Sequence, residues 1–352
     1  MAKKFGPKDI KRLRETTSAG MMDCKNALKE SDGDFDAAVA WLKEKGLGAA
    51  AKKSSKVAAE GVVSIEVSDN KAVVVEINSQ TDFVAQNDVF KGVVAEITKH
   101  AFDNNLGDAD AINSSEINGQ PFAEYLSLKI ATIGENLVVR RAGMIASDDE
   151  TVAINGYLHA NNRVAVLLGA KCEDASIVEK VRAELKNIAM HAAAMSPSTL
   201  SYEDFDADFV ESETKGRIEV VKKENEELAR LGKTLKNVPT FVSRMQLTDE
   251  VIAEAKKAIE AELASEGKPE KIWHRIVPGK LDRFISDNTL LDQELALLDQ
   301  KYVMDDKVTV GEHIAKISGG KAVITDFIRL EVGEGIEVVE EDFAAEVAKQ
   351  MA

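Results

Sequence analysis

Cysteine is nearly absent from this chain: Cys24 and Cys172 are the only two in 352 residues. Their spacing fits neither a zinc knuckle nor a redox pair, so both are expected to be ordinary buried thiols in a reducing, cytoplasmic setting. Long apolar runs are missing too. No uncharged stretch approaches the ~18 residues that span a bilayer, and the opening MAKKFGPKDI lacks the apolar stretch of a signal peptide. No membrane partner is expected. Positive charge is in short supply: 45 Lys and Arg face 61 Asp and Glu, a formal charge of -16. A phosphate backbone would repel such a chain overall, which disfavours direct nucleic-acid binding. Aromatics make up only 5%, while Ala, Lys and Glu are plentiful, a mix that leans towards helix.

The motifs of several chemistries are also lacking. There is no GxxxxGK[ST] loop: Gly319-Gly320-Lys321 has neither the upstream glycine nor the following Ser or Thr. Gly333-Glu334-Gly335 is not GxGxxG and carries an acid where phosphates would sit. His100, His159, His191, His274 and His313 are not spaced to ligate a metal locally, and no GxSxG elbow is present. These absences point away from an enzyme with a catalytic site, a cofactor or a metal of its own.

What is present implies an α+β chain of several domains, since single cores stop growing near ~250–300 residues. Residues 1–46 read as a small helical module. Asp34 caps a helix ending at Gly46, with Phe35, Ala38, Val39 and Leu42 at i, i+3, i+4 and i+7. A flexible or helical linker covers 47–58. Val63, Ile65 and Val67 then alternate with polar residues, Asp69-Asn70 turns the chain, and Val73 to Ile77 forms a more buried strand. Val89, Val93 and Ile97 line one side of a following helix, with Phe90 and Val94 beside them. Strand, turn, strand and helix recur at Val152–Leu158, Asn161-Asn162, Val164–Leu168 and Ile177–Ile188. That repetition implies a two-part pseudo-symmetric core, 59–145 and 146–204, the second part resuming at 266–334. Between its pieces, 205–265 reads as an antiparallel coiled-coil hairpin. Its first helix carries Ile218, Val221, Asn225, Leu228, Gly232 and Leu235 at 3-4-3-4-3 spacing, with Asn225 as a register-setting polar residue. Its second carries Val251, Ala255, Ala258 and Glu262. A strand at Phe327–Val332 leads to a C-terminal helical module, 335–352, with an amphipathic helix Phe343–Lys349.

Three segments are more specific than composition: Thr16-Thr17-Ser18-Ala19-Gly20-Met21-Met22-Asp23-Cys24-Lys25 with Ala27-Leu28; Asn78-Ser79-Gln80-Thr81-Asp82-Phe83-Val84-Ala85; and Phe327 through Glu337 with Asp342 through Ala348. All three resemble signature segments of the elongation factor Ts family, in the family's order. Ile133-Gly134-Glu135-Asn136 and Ile188-Ala189-Met190-His191 resemble it as well. The resemblance covers most of residues 8–200 and 268–350; the hairpin region is longer than the family's common form, and Ser79 stands where some relatives have Cys. The family implies an N-terminal ubiquitin-associated-like module, a two-part α+β core, a coiled-coil hairpin and a C-terminal helical module. It further implies a nucleotide-exchange factor that binds the GTPase elongation factor Tu, GDP-bound and nucleotide-free, and it admits a 2:2 assembly.

By that resemblance, Thr81, Asp82, Phe83 and Val84 lie against the GTPase near its magnesium site, Phe83 as a wedge. Arg14, Met21 and Met22 anchor the partner's nucleotide domain. Ile133, Gly134, His159 and the C-terminal Phe343 and Val347 are further contacts. The residues themselves leave alternatives open. Phe83 can plug its own core while Asp82 caps the next helix. One of Met21 and Met22 can belong to the module's interior, although neighbouring methionines point in different directions on a helix. His159 suits a turn. Two other classes remain: an interaction module with no effect on nucleotide, and an α+β enzyme with a site between the repeats.

Overall fold

The computed structural model describes residues 5–17 and 19–337; the expected C-terminal helix with Phe343 and Val347 lies outside them. The chain divides into two compact units. One comprises Met1–Leu168 with Ile328–Ala352, the other Gly169–Phe327. The first expected repeat and most of the strands of the second therefore share one unit.

The first unit opens with α1 (Pro7–Thr17), α2 (Met21–Glu30) and α3 (Phe35–Lys53). Asp34 caps α3 by accepting from the Ala37 N–H at 2.9 Å. Leu13, Cys24, Ala27, Leu28, Ala38 and Leu42 form the small core, joined by Leu128 from outside the module. The helix does not stop at Gly46 but continues through the expected linker to Lys53. The reason is tertiary. A Cβ at Gly46 would lie 3.1 Å from a Leu128 methyl and 3.4 Å from the Leu128 nitrogen. Glycine there is a notch for a close neighbour, and the packing offsets its helix penalty of about 1 kcal/mol.

The sheet that follows explains the run of valines. Strands β1 (Glu60–Val67) and β2 (Lys71–Ser79) pair antiparallel, Val62 opposite Ile77. After β2 come the short α4 (Asp82–Gln86), α5 (Asp88–Asp103) and α6 (Ala109–Asn113). The two-residue strands β3 (Glu116–Ile117) and β4 (Gln120–Pro121) precede α7 (Phe122–Ile133). Strand β5 (Val138–Ala146) then returns to pair antiparallel with β2, giving the order β1-β2-β5. Val73, Val75 and Ile77 face helix residues Phe90, Val93, Val94 and Ile97. Ala72 and Val74 join a second cluster with Ile145, Ile154, Leu167 and Leu330. A central strand buried on both faces cannot alternate apolar with polar. Val89, expected on the buried side of α5, is instead 55% exposed.

Strands β6 (Val152–Leu158) and β7 (Val164–Cys172) supply the second sheet, whose order is β10-β7-β6, β10 being the last strand. In both sheets the third strand lies beside the hairpin's second strand. A carboxylate lies fully inside the first unit: Glu76 of β2 is 0% exposed. Arg140 and Arg141 pair with it, and it accepts the Gly333 N–H at 2.9 Å. Arg141 also bridges to Glu334 at 3.0 Å. A buried carboxylate is tolerated when charge and hydrogen bonds are both supplied, as here.

The second unit holds α8 (Val178–Met195), α9 (Ala207–Arg230), α10 (Asp249–Ser265), α11 (Trp273–Asp287) and α12 (Leu290–Leu295). It continues with β8 (Lys301–Tyr302), β9 (Asp305–Thr309), α13 (Val310–Ser318) and the start of β10 (Ala322–Glu331), a strand expected only from Phe327. Val181, Leu185 and Ile188 of α8 are buried as their spacing predicts. The hairpin departs from expectation. α10 packs on α11, through Ile259, Leu263 and Val277 with Trp273, Ile276 and Leu281, and not as a coiled coil on α9. Pro278 sits inside α11, and a proline in an apolar stripe hides a helix from a periodicity reading. Asn225 sets no coiled-coil register. Its side chain accepts from the Lys236 N–H at 2.7 Å and donates to the Lys236 carbonyl at 2.8 Å, pinning the loop that follows α9. Gly232 and Leu235 lie beyond the helix end. Among the described residues no helix is long and apolar enough to cross a membrane.

The α3–α7 packing ties the N-terminal module to the sheet core. Leu128 is 3% exposed with the module in place. A chain lacking residues 1–46 therefore uncovers it, and its thermal midpoint falls below that of the full chain. An unchanged midpoint in a melting scan would show that the contact contributes nothing.

Candidate functional site

The segment Asn78–Ala85 runs off the end of β2 into α4. Ser79 is the last strand residue; Thr81 is extended, at φ −125° and ψ 154°, and serves as the N-cap. Its hydroxyl oxygen accepts from the Val84 N–H at 3.3 Å. Asp82 therefore caps nothing: Thr81 starts α4, and Asn87 starts α5 by accepting from the Val89 N–H at 2.8 Å. Ala85 is buried and Val84 packs against the core beneath. These two hold one side of α4 down and turn the other side out. Asp82 is exposed, and Phe83 is 83% exposed. The reading of Phe83 as a core plug is excluded. The ring is instead left in water on an ordered turn.

The turn is held from a distance. The Gln80 and Thr81 N–H groups donate to one carboxylate oxygen of Glu135, at 3.0 and 3.1 Å. The Thr81 hydroxyl donates to the other at 2.7 Å. Glu135 follows Gly134, which ends α7 in the left-handed region at φ 91°; any other residue there would be strained. The Lys53 ammonium donates to the Gly134 carbonyl, and the buried Asn136 donates to the Lys56 carbonyl at 2.9 Å. Thus Thr81–Val84 and Ile133–Gly134 are brought together, with the end of α3 beside them. Ile133 itself is partly buried against the core, so only part of it faces outward, while Gly134 is exposed. The Ile-Gly-Glu-Asn string singles out the segment but gives no sign that its carboxylate reaches back more than fifty positions. Glu135 is the residue that sequence reasoning missed.

Arg14, Met21, Met22 and His159 sit elsewhere in the same unit. Arg14 is exposed in the last turn of α1. Met21 and Met22 open α2 at 49% and 64% exposed. Both methionines therefore stay out of the module's core, and the reading that buries one of them fails. His159 is exposed in the β6–β7 turn, its Nδ1 3.2 Å from the Tyr157 hydroxyl. The last pair, Phe343 and Val347, lies outside the described residues. His191, from a string that resembles the family, is fully buried, its Nε2 3.0 Å from the Gln300 side-chain oxygen and its Nδ1 accepting from the Val303 N–H. Burial pushes its pKa down, so it serves the fold as a neutral ring. Cys24 and Cys172 are buried free thiols whose pKa values burial raises. Among the described residues no group of three or more His, Cys, Asp or Glu side chains could hold a metal ion.

Comparison with known proteins bears on these segments. A family profile described as elongation factor TS matches residues 80–334. An elongation factor Ts from Sulfurovum sp. (strain NBC37-1) is 66% identical over 351 residues, covering 99% of each chain. One from Aliarcobacter butzleri (strain RM4018) is 57% identical over 347 residues, 98% of each. One from Helicobacter pylori (strain ATCC 700392 / 26695) is 50% identical over 347 residues, 97% of this chain and 98% of the relative.

The exposure of Phe83 fixes what its removal does to folding. Phe83→Ala leaves stability nearly unchanged, where the same change in a core would cost about 3–5 kcal/mol. Urea denaturation of the two proteins decides this, and a large loss of stability would return Phe83 to the interior.

Proposed function

The chain belongs to the elongation factor Ts family, the nucleotide-exchange factors of elongation factor Tu in translation elongation, and on that premise we propose that Phe83 is its wedge. The observation that carries the proposal is the 83% exposure of that ring on a turn held by three hydrogen bonds. Exchange requires no covalent chemistry, and the chain is not an enzyme. The GTPase holds GDP and Mg²⁺ through backbone amides and oxygen ligands. A factor that binds the distorted, nucleotide-poor state better than the GDP-bound state shifts the population towards release. The coupling is reciprocal, so nucleotide must also loosen the factor.

In this reading Phe83 enters the partner beside its magnesium site and Asp82 disturbs the surroundings of the metal. Burying an exposed phenyl ring is worth about 1.5–3 kcal/mol, which corresponds to roughly ten- to hundredfold in a rate. Differential burial of one side chain thus suffices for a substantial acceleration. Arg14, Met21 and Met22 act as remote anchors, the methionines as adaptable apolar contacts. Gly134, the outward part of Ile133, His159, and Phe343 with Val347 belong to the same proposal. So do a ubiquitin-associated-like N-terminal module, a pseudo-symmetric core, a C-terminal helical module, a cytoplasmic setting, and a partner met both GDP-bound and nucleotide-free, with a 2:2 assembly as the larger form. The charge of -16 supports a protein partner rather than nucleic acid.

Release of labelled GDP from elongation factor Tu, with and without this chain, tests the proposal. The wild-type chain accelerates release and binds no guanine nucleotide itself. Phe83→Ala lowers the release rate by about tenfold or more yet still binds the GTPase through the anchors. Asp82→Ala gives a smaller defect that varies with Mg²⁺ concentration. A stable Phe83→Ala protein with normal exchange would end the wedge assignment.

A further inference from the structure

We propose that Glu135 is the positioning residue of the wedge: its carboxylate sets the direction in which the Phe83 ring leaves the surface. The proposal rests on the reading of Phe83 given above and assigns the support that this reading needs. Helix α4 has five residues, far fewer than the ~12–15 at which an isolated helix becomes even marginal in water. The packing of Val84 and Ala85 chooses which side of it faces out, but so short a helix needs further support to fix the direction of an exposed ring. The Gln80 and Thr81 N–H groups at the end of β2 are partly buried and need acceptors. Glu135 supplies one oxygen to both and the other to the Thr81 hydroxyl. Hydrogen bonds to an ionised carboxylate are roughly twice as strong as neutral ones.

The Thr81 hydroxyl carries the constraint one step further. It donates to Glu135 while accepting from the Val84 N–H. The carboxylate is therefore two hydrogen bonds from the peptide that immediately follows Phe83. Glu135 is in turn fixed at its own base. Gly134 turns the chain at φ 91°, the Lys53 ammonium grips the Gly134 carbonyl, and Asn136 holds the Lys56 carbonyl. Lys53 is the last residue of α3, and α3 packs along α7. The joint thus links the wedge to the helix of the module that bears Met21 and Met22. Position, rather than attraction to the partner, is what this side chain contributes.

The test is the dependence of GDP release on the concentration of this chain, read as a maximal rate and a half-saturating concentration. Wild type, Glu135→Ala, Glu135→Gln, Phe83→Ala and the Phe83→Ala double variants are compared, each after its melting midpoint is recorded. Losing charged hydrogen bonds at the turn lowers the maximal rate about tenfold in Glu135→Ala, with the half-saturating concentration within about twofold, since the anchors are intact. Glu135→Gln keeps a carbonyl for the two N–H groups but no acceptor for the Thr81 hydroxyl, and falls in between. In the Phe83→Ala background neither substitution lowers the rate further, because no ring remains to be aimed. If Glu135→Ala fails to fold, the isosteric Glu135→Gln and its cycle with Phe83→Ala carry the test. Wild-type maximal rates in the Glu135 variants, effects that multiply with those of Phe83→Ala, or a change confined to half-saturation would each overturn the proposal. A slow Phe83→Ala beside normal Glu135 variants overturns only the role of Glu135. A normal Phe83→Ala overturns the wedge, and this proposal with it.

Discussion

The burial of β2 on both faces is the constraint on which the rest of the first unit depends. Val73, Val75 and Ile77 are covered by helices, and Ala72 and Val74 by the second sheet. A strand clamped this way has no freedom of register, since a slip by one residue would exchange the two faces and drive Glu76 into an apolar layer. It therefore ends at a fixed point, Ser79, and delivers Gln80–Val84 to a fixed place. The exposed Phe83 thus stands just past the end of a strand buried on both faces, where a short turn can be aimed by few bonds.

Much of this was legible in the chain. The alternation at Val63–Val67, the uninterrupted apolar run of β2, the Asp34 cap and the repeated strand-turn-strand-helix order are local patterns, and local patterns survive folding. The prominence of Phe83 and of the Met21-Met22 pair was legible only as a choice between surface and core, and the exposures decide it. What could not be read depends on residues far apart in sequence. Glu135 reaches Thr81, Leu128 fits the notch at Gly46, and α10 chooses α11 over α9. No periodicity marks such partners. Gly46 misled because propensity was read without the tertiary packing that overrides it.

The exposed residues share a pattern. Phe83, Met21 and Met22 are apolar, ordered and uncovered, and each sits within one turn of a helix N-terminus. A helix start is fixed by its cap or by the chain that enters it, so the side chains beside it keep their direction without being buried. The surface thereby presents apolar groups with little left to order on binding, which lowers the entropic cost of association.

Glu76 has a consequence for the order in which the protein can be made. Its Arg140 and Arg141 partners emerge soon after it, but the Gly333 N–H that completes its shell, and Leu330 and Val332 of the adjoining apolar cluster, come from the far end of the chain. The whole of Gly169–Phe327 is synthesised in between. At roughly 5–20 residues per second, the ribosome holds the first unit open for tens of seconds or less, with a carboxylate and an apolar face awaiting residues not yet translated. The inserted unit has all its own residues before that closure. The contacts that complete the first unit thus become available only after the inserted unit has been translated.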